Sequence, residues 1–100
     1  MTSIKDKLIK DYKTKENIVK TKAITGLSIF LGVDRNQVSV VSATPNKNGV
    51  RIHLKADDLQ FFYNYPNGDI EFSSDGELYQ VADSSDVGRI IAFKENRNLL

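Results

Sequence analysis

The chain contains no cysteine and no tryptophan, one histidine, one methionine and two prolines among its 100 residues. Without cysteine there are neither disulfides nor thiolate-bound metals, which suits a reducing compartment. A lone histidine, His53, cannot build a two-histidine zinc site. Long apolar runs are missing too. The greasiest stretch, Leu27 to Leu31, is interrupted by Ser28 and falls far short of the ~20 residues that cross a bilayer. The opening Met1-Thr2-Ser3-Ile4-Lys5-Asp6-Lys7 alternates charge instead of leading into the apolar segment of a secretory signal, and no Asn-x-Ser/Thr triplet occurs. These absences lead us to expect a cytoplasmic protein with no membrane association and no cofactor.

Positive charge is absent from one region. No Lys or Arg lies between Asp57 and Gly88, where eight carboxylates do, whereas seven lysines crowd residues 5–22. The net charge is only +1, so the polarity is one of distribution. Its simplest explanation is internal, a basic helix lying beside an acidic sheet edge. Apolar residues at 40% and charged residues at 27% are the balance of a globular chain. A chain of this length fits one domain that buries roughly two-thirds of its unfolded surface.

The pattern divides the chain into three. Residues 3–31 read as helical: Ile4, Leu8 and Tyr12 recur at intervals of four, and Val19, Ala23, Leu27 and Phe30 resume the stripe. Ser3 is placed to cap the start and Gly32 to end it. The apolar gap at Lys13–Asn17, with Thr25 and Gly26 further on, leaves open one bent helix or a helix pair. Residues 37–81 read as an antiparallel meander. Val50, Ile52 and Leu54 alternate with Arg51, His53 and Lys55, and then Leu59, Phe61, Tyr63 and Tyr65 alternate with Gln60, Phe62 and Asn64. Asn48-Gly49, Pro66-Asn67-Gly68-Asp69 and Asp75-Gly76 supply the turns. Residues 84–96 suggest a helix on Val87, Ile90, Ile91 and Lys94, with Asp86 at its positive end and a frayed tail beyond Asn96. A last strand through Arg89 to Phe93 is the alternative. The expected fold is α+β: a four- or five-stranded antiparallel meander sheet with the N-terminal helix or helix pair and the C-terminal helix packed on one face.

Catalytic and metal patterns are poor. Counted from Asp69 as a calcium loop, the sixth position is Ser74 where Gly is needed and the twelfth is Gln80 where Glu is needed. Gly26-Leu27-Ser28-Ile29-Phe30 lacks the second glycine of a nucleophile elbow, and Ser28 reads as a surface or interhelix hydroxyl. No phosphate-binding glycine loop occurs. His53 near Asp57 and Asp58 is the one conceivable base with an orienting acid. We therefore expect a non-enzymatic protein with no metal site.

Binding residues are easier to nominate. Adjacent Phe61 and Phe62 cannot share a face of a regular strand, so one of them leaves the core and marks a contact patch. The expected protein-binding set is Arg51, His53, Lys55, Phe62 and Asn64 on one face, with Glu71 and Tyr79 nearby. The acidic turns, interleaved with tyrosines, suit a partner with a basic groove, and a homodimer through the same face or a strand edge is a further option. The alternative is nucleic-acid binding by Lys5, Lys7, Lys10 and Lys13 with Arg51 and Lys55, which pairs cations with an exposed aromatic.

Overall fold

The computed structural model describes residues 3–99, the last three as backbone only, so the tail expected to fray beyond Asn96 lies largely outside the described side chains. One uninterrupted helix, α1 (Ile4–Leu31), is followed by a 3-10 turn (Arg35–Gln37). Five strands then follow in order, β1 (Val38–Asn46), β2 (Gly49–Ala56), β3 (Leu59–Tyr65), β4 (Asp69–Ser74) and β5 (Glu77–Val81), and α2 (Ser84–Leu99) closes the chain. The sheet is an antiparallel meander of order β1-β2-β3-β4-β5, as expected for strands joined by short turns.

Local chemistry explains the ends of each element. Ser3 Oγ accepts from the Asp6 amide at 3.1 Å, and Gly32 at φ 70° lets the Val33 amide reach the Ser28 carbonyl at 3.0 Å. Residues 84–96 are helical, not a strand, because a reciprocal cap starts α2. The Asp83 carboxylate accepts from the Ser85 amide at 2.8 Å, while Asp86 reaches back to the amides of Ala82 and Asp83 at 2.7 and 3.2 Å. Lys13–Asn17 does not break α1: those residues are solvated, and a helix needs no apolar side chain where nothing packs on it. Strand β1 runs through Pro45, which an edge strand tolerates because its missing amide would have faced away from the sheet. A bulge at Val41 pushes that side chain out and keeps Val40 and Ala43 on the inner face.

The core lies between one sheet face and the helices. Val19, Ala23 and Leu27 of α1 and Val87 of α2 meet Val38, Ile52, Leu54, Ala56, Phe61, Phe72 and Val81 of the sheet. Phe61 and Phe72 pair directly across β3 and β4, with ring centroids 5.2 Å apart. Ser28 is buried, not on the surface, and its hydroxyl donates to the Thr25 carbonyl at 2.8 Å, so it is no nucleophile.

The two charged regions do not meet as expected. Helix α1 lies over β1, β2 and β3, while the acidic residues cluster on the turns and the β4–β5 side. Among the described residues, the ion pairs are Glu16–Lys20, Arg51–Glu71, Asp86–Arg89 and Asp75–Lys94, and none joins an α1 lysine to a carboxylate of residues 57–87. Most of the α1 lysines lie on the exposed first half of the helix, and its main contacts fall on β1, β2 and β3. No helix among the described residues is long and apolar enough to cross a membrane.

Candidate functional site

The register determines what the uncovered face of the sheet presents. Residues paired across an antiparallel ladder point the same way, so the row Ser42–His53–Phe62–Glu71–Gln80 crosses all five strands on the side away from the helices. The neighbouring rows add Arg51 opposite Asn64, and Lys55 opposite Gln60. Phe61 is fully buried while Phe62 is half-buried on the open side, the split that adjacency demands.

Phe62 is the centre of a cluster. The His53 ring stacks on it at 4.6 Å with planes 15° apart, and the Arg51 guanidinium lies 4.3 Å from its centroid. Arg51 in turn donates from Nη1 and Nη2 to the two Glu71 oxygens at 2.8 and 3.3 Å. Asn64 Nδ2 donates to Glu71 Oε1 at 2.9 Å, and its own oxygen accepts from Arg51 at 3.3 Å. The Arg51 hydrogen bonds hold the Glu71 carboxyl below its ordinary value, against the opposing pull of burial and with help from Asn64. His53 Nε2 donates to Gln60 Oε1 at 2.6 Å. Its partner is thus an amide, not Asp57 or Asp58, and no base-and-acid dyad forms. Such a cluster can dock a flat, partly apolar surface, but it offers no nucleophile.

Of the residues nominated from the sequence, Arg51, His53, Lys55, Phe62, Asn64 and Glu71 come together on this face. Tyr79 does not join them. It pairs with Phe72, on the helix side of the sheet, where Lys94 Nζ lies 5.4 Å from its ring. Its hydroxyl donates to Glu77, which raises its pKa first through that bond and then through burial. An exchange of Tyr79 for Gln80 or Leu78 would have followed from the true β4–β5 register, which the turn at Asp75-Gly76 sets.

The nucleic-acid set does not assemble. Lys5, Lys7, Lys10 and Lys13 lie on α1, spread over more than half its circumference at 3.6 residues per turn. Arg51 and Lys55 occupy the opposite side of the sheet layer, and the Arg51 charge is already met by Glu71. Among the described residues, no cluster of three His, Asp or Glu is arranged to hold a metal ion. A cleft of about 760 Å³ lies between Phe30 at the end of α1 and α2, with Ile70 and Val81 in its lining. Of its charged lining residues, Asp86 and Arg89 pair with each other, and Asp69 lies on the strand side.

Comparison of the chain with protein-family models, curated proteins and solved structures finds no match. Function must be argued from the surface itself.

Sequence reasoning missed one surface. Their spacing puts Ile4, Leu8 and Tyr12 on a core-facing stripe, yet they are 80%, 61% and 61% exposed. The stripe was legible; its lack of cover was not, since that depends on where the sheet ends.

Proposed function

We propose that the protein is a small non-enzymatic binding module that recognises another protein through the open face of its sheet, centred on Phe62. The observation that carries this reading is the Phe62 cluster: an aromatic ring flanked by His53 and Arg51, with Arg51 held in place by Glu71 and Asn64. Aromatic and arginine side chains dominate binding energy at protein interfaces. Side chains already fixed by mutual hydrogen bonds lose less entropy on docking. Lys55 on one side and Asp69 on the other put opposite charges at the rim, which suits a partner of mixed charge. The acidic turns could extend the contact toward a basic groove, and this reading treats them as secondary.

The test is capture of binding partners by the full chain and by Phe62→Ala, with folding monitored by circular dichroism. The substitution should abolish capture and leave the sheet intact, because Phe61, not Phe62, fills the core. Capture unchanged by Phe62→Ala would exclude this face. Salt-sensitive binding of oligonucleotides by the same protein would favour nucleic-acid recognition instead.

A further inference from the structure

Helix α2 is held to the sheet far more lightly than α1. The second half of α1 buries Val19, Ala23, Leu27 and Ser28. Of the described side chains of α2, residues 84–96, Val87 alone is buried; Ile90 and Ile91 are half-buried and Phe93 is exposed. The helix packs chiefly on β5, a five-residue strand at the edge of the sheet. Open space undercuts it as well. The cleft of about 760 Å³ reaches Ile90, and another of about 490 Å³ reaches Ile91 and Lys94. An element with so few buried apolar groups opens at less than the cost of unfolding the whole domain.

Its two ends are tied down differently. At the start, the cap bonds of Asp83 and Asp86 run to Ser85, Ala82 and Asp83, so they fasten the helix to its own leader and not to the sheet. Further along, Lys94 Nζ donates to the Ser74 carbonyl at 2.7 Å, with the Asp75 carboxylate at 3.4 Å and the Tyr79 ring centroid at 5.4 Å. The Lys94 side chain is only 14% exposed, which is uncommon for a lysine. Among the described residues, this is the one side-chain hydrogen bond that joins α2 to a strand.

We propose that α2 is a strap that undocks from the sheet as a unit while α1 and the strands stay folded, with Lys94 as its latch. Once the Lys94 clasp breaks, only the partial burial of Ile90 and Ile91 and the single anchor Val87 oppose release, and the link at Ala82 and Asp83 serves as the hinge. A detached helix of sixteen residues that includes Gly88 and Asn96 is marginal in water, so undocking frees its amides to exchange. The movement bares Val81 and Tyr79 on the helix side of the sheet. The Phe62 cluster lies on the opposite side, so the strap acts independently of the binding face proposed above.

Native-state hydrogen exchange of the full chain in increasing urea, read by NMR, tests the proposal, with circular dichroism to confirm folding of each variant. The amides of residues 88–94 should open together, with a common urea slope, at least tenfold more often than those of β2 and β3. Lys94→Met keeps the aliphatic stem and removes the donor. It should speed exchange of residues 88–94 about tenfold, the worth of a hydrogen bond from a charged group, and change residues 19–31 by less than about twofold. Asp75→Asn should act less than about threefold, because that carboxylate is exposed and the Ser74 carbonyl is the closer partner. Amides of α2 that open only together with β2 and β3 would overturn the proposal. So would protection that falls steadily toward the C-terminus, which is fraying, or exchange unchanged by Lys94→Met.

Discussion

Glu71 sits with its carboxylate gripped by Arg51 and Asn64, its side chain 17% exposed and that of Arg51 31%. The hydrogen bonds from Arg51 lower its pKa in the folded protein. A lowered folded value means the pair stabilises the fold above the ordinary carboxylate range, and that this stability is lost as pH falls through the folded value. Glu71→Gln should therefore cost about 1 kcal/mol at neutral pH, the net worth of a partly covered bidentate pair. Urea unfolding should show the gap between wild type and variant closing between neutral pH and a pH below the ordinary carboxylate range. An equal gap at both pH values would mean that Glu71 contributes by packing. The partners of Arg51 and Phe62 were only half legible beforehand. Alternation on β2 and β3 put Arg51, His53 and Phe62 on a common face, but the β3–β4 register was needed to bring Glu71 beside them.

Elements show the same division between local and distant causes. Gly26 and Gly88 both sit inside helices, where each lowers intrinsic helix propensity. A Cβ on Gly88 meets nothing within 4 Å, so Gly88→Ala should stabilise the protein by about 1 kcal/mol. A Cβ on Gly26 would lie 3.0 Å from the Tyr63 ring, so Gly26→Ala should be neutral or destabilising by about 1 kcal/mol as the ring gives way. Shifts of the urea midpoint in opposite directions would establish that Gly26 is there to let α1 approach β3. Both helix ends were readable because Ser3 and Gly32 act within a turn of themselves. The continuity of α1 through Lys13–Asn17 was not, since propensity and periodicity are weak where no apolar residue reports on packing. The turn residues are equally local: Asp75 at φ 53° and Gly76 at φ 81° adopt the two positive values that a two-residue hairpin turn asks for, and acids gather there for that reason as well as for charge.

At the scale of the whole molecule the protein is long, 67 Å by 28 Å by 20 Å, with a radius of gyration of 16.3 Å. A compact chain of this size would have about 13 Å. The excess reflects the exposed first half of α1. Charge is segregated along with shape, the lysines on that helix, the carboxylates on the turns and on the far strands.

The α+β class, the antiparallel meander, both ends of α1 and the division between Phe61 and Phe62 follow from the sequence, because alternation, caps and turn residues act over a few positions. Tertiary structure alone decided that β4 brings Glu71 beside Phe62 and that the basic helix stays clear of the acidic strands. It also decided that the sheet ends before α1 does. Each of these depends on the distance between elements remote in sequence, and that distance is set by packing around Ile52, Leu54, Phe61 and Phe72, which no local pattern encodes.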